Sequence, residues 1–193
     1  MAKVKKRLRI KWKNFIIFII IVLFILFVII KGISFTITTI KNSLANKPEV
    51  KEAKEAYERM AKDASKDKRK LVVMSAYRDY NYQVNLYNRY AKKDGKDKAD
   101  TYSGRPGFSE HQTGLAIDLY NGKIVYTRFE ETKEFKWMQD NAYKYGFILR
   151  FPKGKELETG YQYESWHYRY VGLEIAKEIK EKGICFEEYI AMQ

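Results

Sequence analysis

Gly104-Arg-Pro-Gly-Phe-Ser-Glu-His-Gln-Thr-Gly-Leu-Ala-Ile-Asp-Leu119 holds His111, one of only two histidines in the 193-residue chain, and the carboxylate of Asp118 seven residues later. Seven residues make two helical turns, so on a helix the two groups would share a face but stand about 10 Å apart along the axis. One metal ion, with bonds of about 2.0 to 2.2 Å, does not span that distance. On a straight strand the odd spacing sends the two side chains to opposite faces. They meet only if the chain bends between them, and Gly114 is the residue that permits a bend. Residues 115–120 then read as a short apolar strand. A carboxylate embedded there is costly unless it is paired or bound to a cation.

The second histidine, His167, lies in Tyr163-Glu-Ser-Trp-His-Tyr-Arg-Tyr170, three residues after Glu164. If 166–170 is a strand, alternation puts His167 and Arg169 on one face and Trp166, Tyr168 and Tyr170 on the other. Glu164 points away on a continuous strand, and a turn or bulge near Ser165 is needed to bring it to the same side. The whole histidine supply of the chain thus sits in two segments, each with a carboxylate at short range.

Around these segments the pattern predicts an α+β domain with a small, mostly antiparallel sheet packed with helices. A helix is expected from Pro48, with Asn46 and Glu49 at capping-box spacing and a stripe of Val50, Tyr57, Met60, Ala61 and Ala64. Residues 71–75 read as a buried strand with Arg78 just beyond it. A helix over 80–93 places Tyr82, Leu86 and Tyr90 together, brings Gln83 close to Arg78, and stops at Gly95. Residues 92–98 form a polar loop. Asn121-Gly122 is the strongest hairpin signal, joining strands 115–120 and 123–126. A third helix over 133–145 buries Phe135, Met138 and Ala142 and stops at Gly146, followed by a strand over 147–151 that Pro152 ends. Val171, Ile175, Ala176 and Ile179 stripe a last long helix that Gly183 terminates, and the remaining tail is helical.

Ahead of this domain, residues 15–30 are sixteen consecutive apolar residues. With its flanks the segment reaches the 17 to 25 residues or so that a membrane span needs. Seven Lys or Arg and no acid precede Phe15, which places the N-terminus in the cytoplasm and the rest outside. No small-residue cleavage site follows promptly, so an uncleaved anchor is expected. The expected organisation is a basic cytoplasmic segment 1–14, a transmembrane signal-anchor 15–36, a linker 37–47 and a catalytic domain 48–193. The formal charge of +13 loses those seven units with the first thirteen residues, leaving +6. Most of the excess is topogenic, which argues against nucleic-acid binding. No obligate protein partner is inferred. The single cysteine, Cys185, has no internal disulfide partner and reads as a small buried residue.

Two imidazoles and one carboxylate leave the fourth position of a tetrahedral zinc open, the hallmark of catalytic rather than structural zinc. An ion so held lowers the pKa of bound water from about 15.7 to about 7. Glu164, left over from ligation, suits a general base, a role worth roughly 10²- to 10⁴-fold. Arg78 offers a permanent positive charge for a developing oxyanion or a substrate carboxylate. Taken singly, these residues are more often a satisfied histidine, a surface acid and a salt-bridge partner. Taken together they are a complete set for amide hydrolysis.

The same residues resemble a known family. Ser75-Ala-Tyr-Arg78 with Gln83, residues 106–118, Phe151-Pro-Lys-Gly-Lys-Glu156 and residues 163–172 are similar to the VanY-type D-alanyl-D-alanine carboxypeptidases, zinc metallopeptidases with the hedgehog-like fold. The likeness runs from about Leu71 to Gly172. It implies one zinc ion per chain held by His111, Asp118 and His167, Glu164 as catalytic base, Arg78 at the substrate carbonyl or carboxylate, and Gln83 and Ser109 as peptide contacts. The implied substrate is a peptidoglycan stem peptide that loses its terminal D-alanine to an enzyme anchored on the outer face of a cell membrane. The likeness covers D,D-carboxypeptidases and L,D-carboxypeptidases of tetrapeptide stems alike. A non-catalytic zinc-stabilised wall-binding module and a zinc endopeptidase are the remaining alternatives. The chain departs from the family pattern at Ala76, where glycine is usual, and at Ser165, where proline is usual. The bend between base and ligand is therefore less rigidly enforced.

Overall fold

The computed structural model describes residues 12–193, with the side chains of 12–15, 17, 35–42 and 44 outside the description. All but the last three residues of the expected cytoplasmic segment 1–14 lie outside the described residues. The chain divides into two units, Met1–Ser43 and Leu44–Gln193.

The described residues of the first unit lie in α1 (Trp12–Ala45), whose apolar side chains Ile16, Phe18 to Ile30 and Ile33 are exposed. Among the described residues no helix is long and apolar enough to cross a membrane. The spanning helix expected over 15–36 is therefore not supported by the described residues. The linker expected over 37–47 is helical as far as Ala45, because nothing in its sequence breaks a helix before Pro48.

The second unit is α+β, as its patterning predicts. Its strands are β1 (Val72–Ser75), β2 (Ala116–Tyr120), β3 (Phe147–Phe151) and β4 (Glu164–Tyr170), in one sheet of order β1-β2-β4-β3. Every pairing is antiparallel. Its helices are α2 (Pro48–Lys66), α3 (Tyr80–Asp94), α4 (Lys96–Asp100), α5 (Lys133–Asn141), α6 (Glu156–Thr159), α7 (Leu173–Lys182) and α8 (Phe186–Ala191). The main core sets Ala56, Met60 and Ala64 of α2 and Met138 of α5 against Ile117 and Leu119 of β2 and Tyr168 and Tyr170 of β4. Side chains of a strand alternate, so Asp118, His167 and Arg169 occupy the opposite face of the sheet. That face carries the site. Helix α2 is also tied to the domain by polar contacts, Tyr170 Oη to Glu52 and Tyr145 Oη to Asp63.

Three expectations are corrected. Asn46 does not cap α2; Lys47 holds the cap position without a side-chain bond, and the Pro48 ring sets the first turn. Tyr82, Leu86 and Tyr90 of α3 do come together, lining one groove, while Gln83, Leu86 and Tyr87 are the buried residues of the helix. The polar loop 92–98 is helical except at Gly95. The Asn121-Gly122 hairpin does not form. Asn121 Oδ1 accepts from Lys123 N–H and Ile124 N–H, an Asx turn that leads into a 3-10 segment, Tyr126–Glu131. Both edges of β2 are already paired, with β1 and β4, which leaves no edge for a returning strand.

Candidate metal and peptidase site

The bend required by the spacing of His111 and Asp118 is present. His111 lies in a 3-10 turn, Glu110–Thr113, which ends at Gly114 with φ of 78°, a left-handed conformation that glycine adopts without steric cost. From there β2 starts, and Asp118 comes to rest directly opposite His167 of β4. A second glycine closes the loop before the turn. A Cβ on Gly104 would stand 2.8 Å from Cα of Ser109, so this close approach admits no side chain.

His111, Asp118 and His167 are all buried, and one ligand atom of each lies within 4.8 Å of the other two. The Nε2 atom of His111 is 3.2 Å from Asp118 Oδ2, and the Nδ1 atom of His167 is 3.0 Å from Asp118 Oδ1. Donors bound tetrahedrally at about 2.0 to 2.1 Å stand about 3.4 Å apart, so this cluster has the dimensions of a metal site. Its outer contacts fit as well. His111 Nδ1 lies 2.6 Å from the carbonyl oxygen of Ala76. Donation of its N–H to that carbonyl leaves Nε2 as the free lone pair, the arrangement expected of a metal-binding imidazole. The donor set, two nitrogens and one carboxylate among the described residues, is three protein ligands, the number that a catalytic zinc site uses.

Glu164 reaches the same pocket through the bulge anticipated near Ser165. Phe151 of β3 pairs with Glu164 and Leu149 with Tyr168, so β4 uses two more residues than β3 over that stretch. The Oε2 atom of Glu164 then lies 3.8 Å from His167 Nδ1, beyond bonding distance but facing the donors. Burial is the chief cause that raises its carboxyl pKa to about 7, with the negative Asp118 adding to the rise against the opposing pull of His167. An acid poised there can take up and release a proton near neutrality.

Arg78 enters from the end of β1. Its backbone N–H donates to the carbonyl of His111, its Nε to Ser75 Oγ at 2.9 Å and its Nη2 to Asp118 Oδ2 at 2.6 Å. Burial works to raise the pKa of Asp118, but the two histidines outweigh it and hold the carboxylate well below its usual range. Burial lowers the pKa of His111. In His167 the bonds to Asp118 and Glu110 overcome burial and raise it to about 9. The five residues expected to carry the chemistry are thus brought together.

Ser109 is buried and lines a groove of about 580 Å³ that opens on the cluster, along with Tyr82, Tyr126, Tyr161 and Trp166. Gln83 does not line the groove. It is fully buried, its Nε2 donates to the carbonyl of Gly104 at 2.7 Å, and its Oε1 finds no partner among the described residues. Two residues the sequence reading did not single out belong to the site. Glu110 lies 3.4 Å from His167 Nε2, and Arg150 donates to Glu110 at 2.8 Å. The adjacency of Glu110 to His111 was the available signal; the pairing with Arg150, 40 residues away, had none.

The sequence pattern that defines the VanY family, D-alanyl-D-alanine carboxypeptidase, matches residues 47–173. A putative carboxypeptidase, YodJ of Bacillus subtilis (strain 168), is 45% identical over 142 residues, 72% of this chain and 52% of that protein. Among solved structures, the LdcB LD-carboxypeptidase is 44% identical with a TM-score of 0.69, covering 73% of this chain and 67% of that one. The vancomycin-resistance D,D-pentapeptidase VanY in complex with Zn(II) is 33% identical with a TM-score of 0.65, covering 72% and 81%. The chain spans about half the length of the curated relatives it matches.

Proposed function

Because the chain belongs to the VanY family of D-alanyl-D-alanine carboxypeptidases, we propose that it is a zinc-dependent carboxypeptidase that removes the terminal D-alanine from peptidoglycan stem peptides. The observation that carries this reading is the buried His111, Asp118 and His167 cluster with the free carboxylate of Glu164 beside it. His111, Asp118 and His167 would hold the zinc ion, which would supply Lewis acidity at neutral pH. Glu164, the carboxylate left free beside the three donors, would take the proton of the attacking water and pass it to the leaving amine. Arg78, fixed by Ser75 and Asp118 at the floor of the groove, places a positive charge where the substrate carbonyl or its terminal carboxylate arrives. Ser109 meets the peptide on the groove wall, and Gln83 acts there through the Gly104 loop that it holds.

Two specificities share this chemistry. The D,D reading, with a pentapeptide stem, follows from the family description. The L,D reading, with a tetrapeptide stem, is favoured by one observation: identity is 44% to the LD-carboxypeptidase and 33% to the D,D-pentapeptidase. Incubating the zinc-loaded chain with penta- and tetrapeptide stems and measuring released D-alanine separates them. If neither peptide loses alanine, the enzyme reading fails; if wall peptide then binds without turnover to both the parent chain and Glu164→Ala, a binding module replaces it.

The proposal includes the placement of the chain. Residues 15–36 anchor it in a cell membrane, with residues 1–14 in the cytoplasm and the catalytic domain 48–193 outside, joined by 37–47. The seven basic residues before Phe15 and the exposed apolar side chains of α1 support this. Extraction of cell membranes at alkaline pH should leave the chain with the lipid; its release would remove the anchor from the proposal.

A further inference from the structure

Arg150 of β3 is buried, and its guanidinium lies over the rings of Phe151 and Phe186, 4.8 and 5.3 Å from their centres. Its Nε donates to Glu110 Oε1 at 2.8 Å, and its Nη1 donates to Glu187 Oε2 of α8 at 2.9 Å, with Nη2 on the other oxygen of Glu187. The second oxygen of Glu110 faces His167 Nε2 at 3.4 Å, while Nδ1 of the same ring faces Asp118. A continuous chain of charged contacts therefore runs from the C-terminal helix to one of the three metal donors.

We infer that Glu110, Arg150 and Glu187 are positioning residues that hold the His167 ring with Nδ1 turned to the ion, so that helix α8 is a working part of the metal site. This rests on the reading of the cluster as a zinc site. An imidazole presents the correct nitrogen to a metal when its other nitrogen has a fixed acceptor, and that acceptor needs a partner of its own. Glu110 is the acceptor here. Left alone it would be one more carboxylate beside Asp118 and Glu164, a repulsive arrangement. Arg150 removes that repulsion, and the two-point grip of Glu187 fixes the plane of the guanidinium.

The neighbouring Glu188 provides the control. It sits on the same helix, accepts from the Cys185 N–H and pairs with Lys155, with no contact to Arg150. Zinc affinity of the full chain, measured by competition with a chromophoric chelator after metal stripping, tests the inference without reference to turnover. Glu110→Gln should weaken zinc binding by about 10- to 100-fold, the range for an outer partner of a metal-binding histidine. Glu187→Gln should weaken it in the same direction by a smaller factor, and Glu188→Gln should leave it unchanged. The double variant Glu110→Gln with Glu187→Gln should bind no worse than Glu110→Gln alone, because the link is already cut. Equal affinities for Glu187→Gln and Glu188→Gln, or additive losses in the double variant, overturn the inference. If Glu187→Gln does not fold, Arg150→Lys carries the same test, since lysine keeps the charge but not the two-point geometry; affinity equal to that of the parent overturns the inference. Absence of zinc uptake by the parent chain would instead overturn the reading of the site, and this inference with it.

Discussion

His111 and His167 face one point but are held by different kinds of partner. The His111 ring is fixed by a backbone carbonyl, that of Ala76, and burial lowers its pKa. The His167 ring is bracketed by two carboxylates, Asp118 and Glu110, which raise its pKa to about 9 against the effect of burial. A backbone acceptor cannot be removed by exchanging a side chain, whereas a carboxylate can. The His111 side is therefore robust to substitution around it, and the His167 side is where metal affinity can be tuned.

Breaking either side outright should have the largest effect. His111→Ala and His167→Ala each remove one of three donors, and the loss of zinc affinity should exceed the roughly 10- to 100-fold typical of an outer partner, as read by chelator competition. Glu164→Gln should next lower kcat by about 10²- to 10⁴-fold while zinc still binds. A comparable loss of zinc would make Glu164 a ligand rather than the base. Arg78→Lys should cost about 10²- to 10³-fold in kcat, the scale of a lost oxyanion donor, since lysine cannot hold Ser75 and Asp118 together while facing the substrate.

The smallest effect concerns stability and sharpens the contrast between the two sides. In metal-free protein the carboxyl pKa of Glu164 is raised from 4.5 to about 7, so its folded state binds a proton more tightly than the unfolded chain does. Its contribution to stability is complete below about pH 4.5 and is lost as pH rises through about 7, at most about 3 kcal/mol in all. Glu164→Gln should raise the melting temperature of the stripped protein at pH 8 and leave it unchanged at pH 4. An equal gain at both pH values would show that the carboxylate is not destabilised by its surroundings.

Much of this was legible in the sequence where a residue type admits one local geometry. Gly114 had to be the bend, and Pro152 ends β3 where expected. The need for a bulge beside Glu164 could be deduced because alternation put the carboxylate on the wrong face; the β3–β4 pairing is irregular in that stretch, and Glu164 lines the pocket. The hairpin at Asn121 was misread because the same dipeptide also makes an Asx turn, and the choice depends on whether an edge of β2 is free. Glu110 and Arg150 went unnoticed because a long-range ion pair leaves no periodic trace.

The order β1-β2-β4-β3 puts two of the three donors, Asp118 and His167, on strands that are neighbours in space although 49 residues separate them along the chain. A nascent polypeptide that ends before β4 has two donors and half a cradle. The three-donor site is complete only once β4 lies beside β2, whereas the apolar layer on the other face of the sheet contains none of the donors, so formation of the fold and uptake of zinc are separable steps that metal stripping can probe.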